Sequence, residues 1–158
     1  RLVGRFQDGT PLSEADAPRG LVGNDFDFSA DVDGRRCPFA AHVRKTNPRG
    51  DTVRETSVSS EEERAHRLVR RAVSYGSDRA DDEPETGSGL LFVCFQADIE
   101  NQFQFMQSRW ANPVHFVRPG IGTDPLIGQA GGQPPWVRLQ GGAYLFAPSL
   151  SFLRALPP

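Results

Sequence analysis

The sequence lacks any marked imbalance of charge. Its 18 Lys and Arg against 20 Asp and Glu leave a net charge of −2, so an electrostatic nucleic-acid binder is not the natural reading. Long apolar runs are missing too. None approaches the roughly 20 residues of a membrane span, and the opening RLVGRFQDGT does not have the basic, apolar and small-residue order of a signal peptide. We therefore expect a soluble chain with neither nucleic-acid nor membrane partner. Its compartment is left open, with the cytoplasm favoured over secretion. Cysteine is scarce: Cys37 and Cys94 read as free thiols rather than a disulfide. Histidine is scarce as well, and His42, His66 and His115 form no pair with each other or with a cysteine at structural-zinc spacing. The first residue is Arg1 rather than Met, so residues upstream are expected.

What is present suits one folded domain. A chain of 158 residues that is 37% hydrophobic can bury roughly two thirds of its unfolded surface. Residues 1–36 are broken repeatedly by Gly, Pro and Asp and read as an irregular lead-in with at most one short helix. HRLVRRAVSYG (66–76) reads as a strand ending at Gly76. GLLFVCFQ (89–96) is a continuous apolar run, as expected of a strand buried on both faces. In the stretch that follows, Ile99, Phe103, Met106 and Trp110 recur at helical spacing behind Asp98, which predicts a capped amphipathic helix packed on the sheet. Residues 111–136 are rich in Gly and Pro and read as a loop. WVRLQGGAYLFAPS (136–149) predicts the last strands or a hairpin. Together these give an α+β layer with a helix on one sheet face.

The densest chemistry lies in CPFAAHVRKTNPRG, where His42 is followed by Arg44, Lys45 and Arg49. Nearby cations favour the neutral imidazole, which is the form that binds a metal. A haem iron needs only one protein ligand, and cations suit the carboxylates on the edge of a haem. No CxxCH is present, so attachment by thioethers is not expected. Spacing alone leaves a second reading open, a structural histidine in a basic loop.

CPFAAHVRKTNPR (37–49), VRRAVSYG (69–76), GLLFVCFQADIENQFQFMQSRWA (89–111), DPLIGQ (124–129) and GGAYLFAPS (141–149) together resemble the carboxy-terminal half of a dye-decolorizing, DyP-type haem peroxidase. The resemblance implies the second of that fold's two ferredoxin-like domains: an antiparallel sheet with helices on one face, spanning 1–158, with the amino-terminal domain absent from this chain. It implies haem b as cofactor, with His42 as its proximal iron ligand. Arg49 would contact a haem propionate. Arg70 would be the distal cation over the peroxide site, with Leu90 and Phe92 over the distal face, although Leu91 and Val93 fit the opposite strand face equally well. Asp124 is the candidate for the acid that orients His42 through its second ring nitrogen. The activity implied is reduction of hydrogen peroxide and one-electron oxidation of dyes, phenolics or similar donors.

Arginine stays protonated and is a poor proton shuttle, and the family's shuttle is an aspartate in a GxxDG motif. GRFQDG (4–9) is one residue too long and too close to His42, so Asp8 reads as a turn residue. A second chain carrying the amino-terminal half is therefore the expected source of that aspartate. His66 and His115 are not expected to touch iron. Trp110 and Trp136 are candidates for relaying electrons to bulky substrates, but Trp110 continues the apolar stripe and reads as packing, and EEER (61–64) reads as a solvated helix start or loop. The competing functional reading is a haem-binding or haem-carrier module without turnover, since the shuttle is missing from this chain.

Overall fold

The computed structural model describes residues 2–20, 23–76, 88–129 and 137–157. The lead-in carries one isolated bridge, Arg5 to Pro11, and a single 3-10 turn, Ser29–Asp31, as its Gly, Pro and Asp content predicts. Asp8 is indeed a turn residue: it accepts from the backbone N–H of Thr10 at 3.0 Å and of Gly20 at 2.7 Å.

Three short helices follow: α1 (His42–Lys45), α2 (Asp51–Thr56) and α3 (Ser60–Ala65). Ser59 caps α3 by accepting from Glu62 N–H at 3.1 Å, and Glu61, Glu62 and Glu63 fill its first turn, where carboxylates complement the helix dipole. The start of α1 has no side-chain cap. Instead the lead-in caps it, with His42 and Val43 N–H donating to the carbonyls of Leu2 and Val3 at 2.9 and 3.0 Å. Gly4 makes that approach feasible. It sits at φ +90°, and a Cβ there would fall 2.3 Å from Val43 Cγ1.

A tight polar knot lies under α1. Arg44 is 2% exposed and lies between the rings of Phe28 and Phe39, 4.3 and 4.0 Å from their centroids. It donates to Asp51 through Nε at 2.6 Å, to Asp31 Oδ2 at 3.1 Å, and to the carbonyls of Cys37 and Asp31. Phe28, Cys37, Ala41 and Val43 form the apolar cluster beside it.

Strands β1 (Val69–Tyr75) and β2 (Gly89–Phe95) pair antiparallel, with Arg70 opposite Cys94, Ala72 opposite Phe92 and Ser74 opposite Leu90. The expectation that GLLFVCFQ is buried on both faces is corrected here. Leu90, Leu91 and Phe92 are 57, 59 and 44% exposed. The apolar pattern reports a surface built to be covered, and no described element of this chain covers it. The predicted terminal strands are corrected as well: residues 137–149 adopt no strand, and among the described residues no strand pairs with them. Trp136 lies outside the described residues. α4 (Leu150–Ala155) ends the chain, capped by Ser149.

The predicted amphipathic helix forms, but as wide π-turns over Glu100–Gln104 and Met106–Ala111, with Gln104 N–H reaching Ile99 C=O at 2.9 Å. Its expected packing on the sheet is corrected, since it lies against α1 and meets the sheet at Phe103 beside Phe92. Asp98 caps it, accepting from Asn101 N–H at 3.0 Å. Met106, Trp110 and Ala111 are buried in a second cluster with Phe105, Phe116 and Ile127 around them, so Trp110 packs as its place in the apolar stripe predicts. No helix among the described residues is long and apolar enough to cross a membrane.

Candidate functional site

His42 opens α1, and its side chain keeps 21% of its surface exposed. The chain beyond the π-helix returns to it: Asp124 N–H bonds to Ala111 C=O at 2.8 Å, which sets the Asp124 carboxylate, with no exposed side-chain surface, 2.8 Å from His42 Nδ1. The other carboxylate oxygen accepts from Leu126 and Ile127 N–H at 2.8 and 3.0 Å. Burial alone would raise this carboxyl, yet His42, through its hydrogen bond and its charge, and the two backbone N–H groups hold it below the ordinary value. Asp124 is thus ionised near neutrality and can only accept. The proton belongs on Nδ1, and in the neutral ring Nε2 carries the free lone pair.

A group of arginines stands near this helix. Arg49 sits at φ +48°, donates to the carbonyls of Asn24 and Phe26 at 2.9 and 2.8 Å, and stacks on the Phe26 ring at 3.9 Å. Its Nε is buried and has no partner among the described residues. Its guanidinium is pushed below its usual range, first by burial and then by Arg5, Arg67 and Arg70. Arg5 is lowered in the same way, by burial and then by Arg70. Cations held this close with a vacant donor are matched to an anion. A cavity of about 690 Å³ opens beside Arg49 and Arg67.

Paired residues of an antiparallel sheet point to one face. The register therefore places Arg70, Leu90 and Phe92 on the same face and Leu91 and Val93 on the other, a choice the sequence left open. Arg70, Leu90 and Phe92 are all exposed. Among the described residues no hydrogen bond or ion pair joins this face to His42. His66 and His115 are engaged elsewhere: His66 bonds to Asn101 C=O and stacks on Phe105, and His115 accepts from Gly120 N–H. Among the described residues no three His, Cys, Asp or Glu converge as a metal cluster. Cys37 and Cys94 are free thiols. Two expectations about charge are corrected: Arg44 and Lys45, read as cations suited to haem carboxylates, are buried on partners within the chain, and Glu63 of EEER, read as solvated, is buried and accepts from Gly50 N–H at 2.7 Å and from Thr52.

The donor set fits a haem: one imidazole with an oriented second nitrogen, and clustered cations for its carboxylates. A family model described as Dyp-type peroxidase, C-terminal, matches residues 3–116. The chain belongs to that family. It is 42% identical to the multifunctional dye peroxidase DyP2 of an Amycolatopsis species, over 98% of this chain and 40% of that protein. The crystal structure of a DyP-type peroxidase from an Anabaena species superposes with a TM-score of 0.74 at 56% identity, covering 83% of this chain and 28% of the other. A deferrochelatase of Yersinia pestis is 31% identical over 69% of this chain and 25% of its own length. The chain therefore spans about two fifths or less of these DyP-type and related relatives, and its α+β architecture is the ferredoxin-like one of the DyP C-terminal domain.

The ionisable interior of this DyP domain predicts an alkaline stability profile. Burial pushes Lys45 down from 10.5 to about 8, against the pull of Asp124. Between those values the unfolded chain binds the extra proton, so stability rises with pH. Burial pushes Cys37 up from 9.0 to about 11, with Arg44 opposing. From pH 9 the folded state holds a proton that the unfolded chain has lost, and stability falls. Denaturation midpoints should rise from pH 8 to 9 and then level off, and Cys37→Ala should extend the rise.

Proposed function

We propose that this chain is the carboxy-terminal, haem-holding domain (residues 1–158, with 1–36 as its lead-in) of a peroxidase that reduces hydrogen peroxide. Dyes, phenolics or similar donors would return the electrons one at a time. The observation that carries the reading is the 2.8 Å contact of His42 Nδ1 with buried Asp124. In the neutral ring it leaves Nε2 as an oriented lone-pair donor, the form in which an imidazole binds a metal.

In this reading His42 holds the iron of haem b, and Asp124 fixes the ring and raises its basicity. Arg49, with Arg5 beside it, receives the haem carboxylates. When bound, haem supplies the iron at which peroxide is reduced. Arg70 stays protonated and offers fixed N–H donors to the charge that develops as the O–O bond breaks, while Leu90 and Phe92 keep that face apolar. Among the described residues of β1 and β2, this face carries no carboxylate to shuttle a proton. The reading therefore takes the shuttle, a GxxDG aspartate, from an amino-terminal half outside this chain, carried on a companion chain. The exposed apolar surface of β1 and β2 suits such cover.

A second reading, a haem-binding or haem-carrier module without turnover, is favoured by the relative named deferrochelatase. Peroxide-dependent bleaching of a dye by the intact, haem-loaded protein decides between them. Bleaching that disappears in Arg70→Leu supports the peroxidase, and haem uptake without any bleaching supports the carrier.

A further inference from the structure

Lys45 is the chain's single lysine among 17 arginines, and it is 0% exposed. It lies on α1, nearly one turn after His42. Its Nζ donates to Pro113 C=O at 2.7 Å and to Phe116 C=O at 3.0 Å and lies 5.5 Å from the centroid of the Phe116 ring. Those acceptors belong to the segment that carries the chain from the π-helix back to Asp124, and Asp124 is the anion that acts on Lys45. A lysine here is a specific choice: a compact ammonium can donate to two carbonyls across a narrow gap, whereas a planar guanidinium needs a fork of acceptors.

We propose that Lys45 is a positioning residue: its buried ammonium pins the 113–116 turn to α1 and sets how strongly Asp124 accepts the proton of His42 Nδ1. The inference rests on the reading of His42 as iron ligand. With the ammonium beside it, part of the negative charge on Asp124 is compensated, so the carboxylate pulls less on Nδ1–H. Without it, the carboxylate becomes a stronger acceptor, Nε2 becomes a stronger donor, and the more oxidised iron is favoured. Loss of a nearby positive charge acts in the same direction through space.

The test is the iron midpoint potential of the intact, haem-loaded protein as wild type, Lys45→Met and Lys45→Gln. Lys45→Gln retains a donor for one carbonyl but carries no charge; a shift that acts through Asp124 should shrink when the same substitution is made in Asp124→Asn, whereas a purely through-space shift should be the same in both backgrounds. Both variants should move to more negative potential. Potentials unchanged in either variant that binds haem would overturn the proposal. A wild type that takes up no haem sinks the ligand reading instead. In that case, or if neither variant folds, the 15N resonance of Lys45 Nζ decides: Asp124→Asn should lower its titration midpoint, and an unchanged midpoint would overturn the coupling.

Discussion

Arg44→Met should destabilise the protein by about 3–5 kcal/mol, the range for removing one partner of a buried ion pair. Arg44 connects four parts of the chain around α1: the Asp31 turn, the Cys37 carbonyl, Asp51 at the start of α2, and the rings of Phe28 and Phe39. Methionine fills much of the volume between the two rings but leaves buried Asp31 without its cation and buried Asp51 with only the partly exposed Arg54. Asp51 is already raised by burial despite Arg44. In the variant its carboxyl takes up a proton more readily, and the loss should shrink as the pH falls. Denaturant titration at neutral and acidic pH measures both effects. A loss below about 1 kcal/mol would mean that the knot is solvated, as surface pairs are.

Asp124→Ala should weaken haem retention by about 10- to 100-fold, the usual cost of removing the partner of a metal-bound histidine. The substitution removes the acceptor for His42 Nδ1 and also frees the N–H groups of Leu126 and Ile127. Asp124→Asn separates the two consequences, since its side-chain oxygen can still accept from the backbone while the negative charge is gone. Transfer of haem to apomyoglobin gives the rate for each variant. Loss in Ala but not in Asn would assign Asp124 to loop geometry alone. Loss in both is the expected result, because the charge is what keeps the proton on Nδ1.

His42 could be singled out from the sequence because it stands in a short motif whose residue types are chemically constrained. Asp124 could be suggested only by resemblance, since the turn that brings it back depends on backbone bonds at Ala111 and Val114 that leave no local mark. The faces of β1 and β2 became decidable once the register was known, because alternation alone says which residues share a face of one strand and nothing about which face of the next they join. Burial was misjudged in both directions for a related reason. The apolar β2 reads as buried because pattern reports what a complete protein would cover. Arg44 and Lys45 read as cations open to a ligand's carboxylates, and Glu63 as solvated, because a local motif does not show the carboxylates, carbonyls and donors that the fold brings against them. The helix from Glu100 was legible as a helix but not as π-turns, since the spacing of its apolar residues carries no mark of which carbonyl each N–H reaches.

The central claim is that His42 is an iron ligand, and a haem titration of the intact protein followed by visible absorption tests it most directly. The account predicts a saturating one-to-one Soret band in wild type, its loss or displacement in His42→Ala, and its recovery when free imidazole is added to the variant. An identical band in wild type and His42→Ala would contradict it, leaving His42 and Asp124 as a buried structural pair.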